Sequence, residues 1–322
     1  MERHRGKALA FSVALSCLVT TTPSRSQSAH TTLIEWRHGT PEHSLPVEPF
    51  SLERGEDVPK DLLDGLAERA DSYRYLLDRF TCTERIRRRG KQPVLRDYLL
   101  VGVEDVQKLR EIRFAGERRV KDPDNPMPPP MAWSLLFSED YQPHFVYRYL
   151  GYGLGGFDGG HRILFRGNRW FEKGKDIREW EGVATVDAAM YEVMSIEAMP
   201  RLYVELLEMK REKRRKSLPI SIGIFEGWGK KFHPLKALRT RRAPVVPFLQ
   251  VGFDEIDLRG SLMDGAEQVE APETARLPAA LRFEMYREGD DGKVKLMKSE
   301  GREYSSYRFF DVDARTLGYG GQ

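Results

Sequence analysis

Along this chain the spacing of apolar side chains changes character once, and that change sets the expected architecture. Over 61–80, Leu62, Leu63, Leu66, Ala67, Ala70, Tyr73, Leu76, Leu77 and Phe80 recur every three or four positions, which places them on one face of an amphipathic helix. Asp57 and Pro59 just before it suit a helix start. After Phe80 the period falls to two. Thr81–Arg87, Leu95–Val101 and Leu109–Phe114 read as short strands, and Phe145, Tyr147 and Tyr149 alternate with Val146, Arg148 and Leu150 in the clearest strand of all. Further strands are predicted over His161–Phe165, Val183–Asp187, Glu192–Glu197, Pro219–Ile224, Val245–Phe253, Ala280–Tyr286, Val294–Lys298 and Glu303–Val312.

The connections follow from turn chemistry. The proline-rich run Asp122–Pro130 (DPDNPMPPP) cannot supply ladder donors or continue a helix, so it reads as a loop, and Met131–Phe137 after it as a short helical turn. Ala188–Tyr191 joins two strands as a hairpin. Gly151–Gly156 spells G-x-G-x-x-G, but more glycine and then a strand follow where a dinucleotide site requires a helix, so this stretch reads as a hairpin loop. Arg201–Lys216 fits a helix or an extended segment. Short strands with close turns imply an antiparallel sheet, and a sheet with one apolar face needs a cover. The expected fold is therefore mainly β (α+β): a curved antiparallel sheet or half-barrel packed on one amphipathic helix.

At the N-terminus Arg3, Arg5 and Lys7 precede the apolar run Ala8–Val19, and the small Ser24 and Ser26 stand before Gln27. That succession is the pattern of a signal peptide over 1–26, which implies an exported protein of the periplasm or cell envelope. The run is too short for a bilayer span of about 20 residues. A lipoprotein anchored through Cys17 is the alternative, disfavoured because Leu15 and Ser16 stand in the wrong order for such a site. Residues 27–60, polar and rich in proline, read as an extended arm or linker, and 61–322 as a β-rich domain with a basic insertion at 210–242.

Charge and chemistry add little to this picture. The formal net charge is +3 over 322 residues, which gives no ground for a nucleic-acid partner. Cleavage before Gln27 leaves Cys82 as the single cysteine, so no intrachain disulfide forms in the processed chain. Cys82 lies in an alternating strand after an amphipathic helix and reads as a buried structural residue. No histidines stand at metal-ligand spacing, and hydrolase, zinc-protease and P-loop motifs are absent from the sequence. Neither a cofactor nor a catalytic residue is expected. Lys210, Arg211, Lys213, Arg214, Arg215 and Lys216 form a basic cluster suited to an anionic membrane surface, or alternatively a solvated loop.

The order helix, Phe80-Thr81-Cys82-Thr83-Glu84, then a train of strands resembles a group of exported bacterial proteins in which a Tyr-x-Leu segment, here Tyr75-Leu76-Leu77, leads into a Phe-x-Cys-x strand. Trp180–Asp187 with Tyr191–Glu197 is similar to hairpins of the lipoprotein-carrier and lipoprotein-sorting half-barrels. The resemblance implies a concave face that holds acyl chains, and it supplies no catalytic residue. On it rests the expectation of a noncatalytic envelope protein that binds an apolar ligand, a lipid or a lipoprotein, between sheet and helix. Phe145, Tyr147, Tyr149, Phe165, Trp170 and Trp180 are the candidate lining. The alternatives are a structural or interaction module with a self-filled core, and an unrecognised hydrolase.

Overall fold

The computed structural model describes residues 52, 55–77, 80–103, 105–120, 127–153, 160–169, 174–203, 245–258, 274–288 and 294–309. All of them belong to one unit, Leu33–Gln322. The signal peptide, Pro219–Ile224, Trp170 and the cluster Lys210–Lys216 lie outside the described residues.

Helix α1 (Lys60–Leu77) buries Leu62, Leu66, Ala67, Ala70 and Tyr73, the stripe that the sequence pattern marks. It ends before Phe80, which instead opens the first strand. Strands β1 (Phe80–Arg88), β2 (Val94–Val103), β3 (Asp105–Ala115) and β4 (Arg118–Val120) form one meander. A second runs through β5 (Phe145–Gly153), β6 (Gly160–Gly167), β7 (Trp180–Asp187), β8 (Glu192–Pro200), β9 (Val245–Asp257), β10 (Thr274–Glu288) and β11 (Val294–Phe309). The two join edge to edge through β1 and β11 into one 11-stranded sheet, ordered β4-β3-β2-β1-β11-β10-β9-β8-β7-β6-β5, with antiparallel pairs throughout. The glycine stretch does join an antiparallel pair, with Gly153 opposite Gly160. Where the sequence pattern suggests two strands at Val294–Lys298 and Glu303–Val312, the structure has one continuous strand of 16 residues, β11.

Curvature follows from where α1 sits. The helix touches both β2 and β8, which are five inter-strand steps apart in the sheet. In a flat sheet that is about 24 Å, roughly twice the diameter of a helix with its side chains. The sheet therefore curls around α1, and it stays open because β4 and β5 are separate edges. At the β5 edge Glu56 pairs with Tyr149, its N–H donating to the Tyr149 carbonyl at 2.9 Å and its own carbonyl accepting at 2.7 Å.

This topology has a consequence for the core. The chain leaves β4 at one edge and must reach β5 at the other, so its connection crosses a face of the sheet. It crosses the inner face: residues 127–138 are all buried, and the 3-10 turn Pro130–Leu135 packs against both α1 and β10. What the sequence offers as a loop and a short turn is a plug in the concavity.

Candidate functional site

The inner face takes one side chain from every second position of each strand. Alternate residues such as Leu164, Val183, Met199, Val246, Phe248 and Tyr286 form a separate apolar cluster on the outer face. From β5 to β10 the inner face is apolar and aromatic. Phe145, Phe165 and Trp180 are buried there, with the half-buried Tyr147 and Tyr149 in line.

The plug lies among these residues. Trp133 meets Phe165 at 5.8 Å between ring centroids and Trp180 edge-on at 6.1 Å. Phe137 meets Tyr147 at 5.2 Å, and the Tyr147 hydroxyl donates to the Leu136 carbonyl at 2.7 Å. Burial alone holds the Tyr147 hydroxyl well above its ordinary pKa. Tyr149, nearer the strand end, shares a 2.7 Å hydrogen bond with His161 Nδ1. The plug's own polar groups are less well served. Trp133 Nε1, Ser134 Oγ and Ser138 Oγ are buried with no hydrogen-bond partner among the described residues. Such groups each cost about 1–3 kcal/mol.

A polar cluster tethers the helix. Glu192, at the start of β8, accepts from Arg69 Nε at 2.9 Å, from the Tyr73 hydroxyl at 2.6 Å and from Arg276 Nε at 2.9 Å. Arg69 also reaches the Thr274 carbonyl at 3.0 Å, so one carboxylate ties α1 to both β8 and β10. Burial, together with the bond to Glu192, raises the Tyr73 hydroxyl well above its usual range. Beside the tether, Gly65 leaves room for the Tyr191 ring, which a Cβ would meet at 2.4 Å. A cavity of about 10 Å³ between Leu66, Tyr73, Ser134, Phe137 and Val193 is large enough for about one water.

On the other half of the inner face, β11-β1-β2-β3, a buried ionic network sits among apolar and aromatic residues such as Phe80, Cys82, Tyr98 and Tyr307. Glu84, with no exposed surface, accepts from Arg113 Nε at 2.6 Å, Arg302 Nη1 at 3.1 Å and the Tyr304 hydroxyl at 3.1 Å. Arg302, 1% exposed, also grips Glu300 through Nε at 2.9 Å and Nη2 at 2.7 Å, and Arg88 holds the same carboxylate at 2.8 Å. Glu111 completes the network, accepting from Arg113 at 3.0 Å and from Tyr98 at 3.0 Å. Burial by itself would raise the Glu300 pKa, but the Arg302 charge and the bonds from Arg88 and Arg302 bring it down to about 2. Cys82 is buried next to this network; burial, then the Glu84 charge, pushes its thiol up and away from the reactive thiolate.

Of the residues singled out in the sequence, Phe145, Tyr147, Phe165 and Trp180 gather around the plug, and Tyr149 sits further along the same face. The sequence reading missed Trp133 and Phe137, which lie between them, although the run Met131–Phe137 carries the signal of an apolar segment directly after prolines. It also missed the ionic network. Among the described residues no group of three His, Cys, Asp or Glu side chains converges as metal ligands do. Between β5 and β10 the inner face is an apolar, aromatic surface with a few hydroxyls, covered by the helix and the plug.

No family model matches the chain, and neither does any curated protein. Solved structures with a similar course include a LolA superfamily protein from Nitrosomonas europaea, 9% identical with a TM-score of 0.34, covering 79% of this chain and 96% of that one. A DUF1329 family protein from Desulfovibrio piger is 13% identical with a TM-score of 0.34, covering 79% and 93% respectively. MucB, in its complex with MucA(peri), is 10% identical with a TM-score of 0.19, covering 78% and 100%. Likeness at this level carries no argument about function.

Proposed function

We propose that this is an exported, noncatalytic binding protein of the cell envelope whose inner sheet face receives an apolar or lipidated ligand in exchange for the plug. The observation that carries the reading is the plug itself. A wide apolar face is filled by a crossover connection whose Trp133 Nε1, Ser134 Oγ and Ser138 Oγ are buried without partners, which weakens its hold relative to an ordinary core segment. Phe145, Tyr147, Tyr149, Phe165 and Trp180, with Trp170, are the residues assigned to the ligand, and the Tyr147 hydroxyl is released when Leu136 withdraws. The basic and apolar succession of 1–26 supports export, and Lys210–Lys216 is assigned to an anionic membrane surface.

The second reading is a structural or interaction module with a self-filled core. The cavity of about 10 Å³ beneath the helix favours it, because no acyl chain fits there until something moves. Organic extraction of protein purified from its own host, followed by mass spectrometry, separates the two. A co-purifying lipid or lipopeptide, lost in Tyr147→Asp while the thermal melt stays cooperative, supports ligand binding. Nothing extractable, and no binding of a fluorescent fatty acid, leaves the self-filled module.

A further inference from the structure

The β1–β2 turn carries two cations, Arg89 and Lys91, that the ionic network of the inner face does not use. Arg88 at the end of β1 and Arg89 and Lys91 on the turn, with Leu296, Met297 and Lys298 on the neighbouring β11, line an open groove of about 350 Å³. Its shape comes from a bulge: Met285 pairs with Lys298 and Tyr286 with Leu296, so Met297 is the extra residue and is pushed outward, 44% exposed. Arg88 is committed to Glu300. Arg89 and Lys91, both exposed, meet no carboxylate among the described residues. Directly after the turn come Pro93, Val94 and Leu95, and Leu95 is 58% exposed.

We infer that this end of the sheet docks on an anionic phospholipid bilayer. Charge complementarity selects an anion, and the aliphatic side chains select the kind. A soluble polyanion would neutralise Arg89 and Lys91 but leave Met297 in water. A bilayer surface meets both needs, pairing the cations with headgroup phosphates while the thioether and aliphatic groups enter the headgroup boundary. The groove shares no residue with the aromatic lining assigned to the ligand, so it stands or falls apart from the ligand-binding reading.

The test is co-sedimentation of the host-purified protein with vesicles of phosphatidylglycerol and phosphatidylcholine in equal parts, and with vesicles of phosphatidylcholine alone. Binding to the anionic vesicles only is expected, with a fall of about tenfold in the Arg89→Glu/Lys91→Glu double variant and about threefold in Met297→Ser. All three positions are exposed enough to leave folding intact, which a circular-dichroism melt checks. Equal binding by the double variant, equal binding to neutral vesicles, or no binding at all overturns the inference. So does full competition by millimolar glycerol phosphate, which would mark a small-anion site.

Discussion

The two halves of the inner face solve the same burial problem by different means. From β5 to β10 the face is apolar and is covered by a helix and a plug that belong to other parts of the chain. From β11 to β3 it carries Glu84, Glu111 and Glu300 against Arg88, Arg113 and Arg302, and each carboxylate finds its cations on its own or a nearby strand. The apolar half is replaceable in content, since an apolar group of similar shape fills it. The ionic half is the reverse. A buried network adds little net stability over an apolar core, yet breaking it strands charge where water cannot follow. One half thus tolerates a change of apolar filling, and the other is suited to hold strand alignment.

That contrast is open to direct attack. Arg302→Met removes the cation shared by Glu84 and Glu300, and a loss of about 3–5 kcal/mol in urea unfolding is expected. On the apolar half Phe165→Leu changes shape without stranding charge, and a loss below about 1.5 kcal/mol is expected in the same assay. If the two variants were equal, the assignment of alignment to the ionic half would fail.

Acid sharpens the same point. The Glu300 pKa is depressed to about 2 in the fold and returns to the ordinary range of roughly 4.3 on unfolding. Its contribution is therefore complete above the unfolded value and disappears as pH falls through the folded one, between about pH 5 and pH 2. A loss of order 2 kcal/mol over that window is expected in wild-type protein, allowing for partial solvent screening. The window should flatten in Glu300→Gln, and urea midpoints measured from pH 7 to pH 2 check it.

Smaller effects come at the margins. Cys82→Ser puts a hydroxyl into a site built for a thiol, at a cost of about 1–2 kcal/mol. Ser134→Ala has the opposite sign. It deletes a buried hydroxyl without a partner and should raise stability by up to about 1 kcal/mol, read as a higher melting temperature.

The helix and the strands with one buried face were legible from their period, and β1 shows it plainly, with Phe80, Cys82, Glu84 and Ile86 inward and Arg85 and Arg87 outward. The same logic misread β11. Ser299-Glu300-Gly301-Arg302 looks like a break in a strand, because inward positions are expected to be apolar, whereas Glu300 and Arg302 satisfy each other across the β11 surface. Phe80 continues the helical spacing of Leu76 and Leu77, and only the sheet pairing with Phe309 assigns it to β1. For the site, alternation revealed that Phe145, Tyr147 and Tyr149 share a face. It could not reveal what lies on that face. The plug arrives from a connection between opposite sheet edges, and no local period encodes which face such a connection crosses.

Joining β1 to β11 sets Phe80 opposite Phe309, near opposite ends of the described chain. Strand pairing at such separation is slow to nucleate, because most of the polypeptide must be present before the seam can close. During synthesis, β1 to β4 emerge first as a short meander whose β1 edge has no neighbour until β11 arrives. A chain truncated before β11 should therefore expose that edge to other molecules and aggregate, which makes β11 the switch between a vulnerable intermediate and a joined sheet.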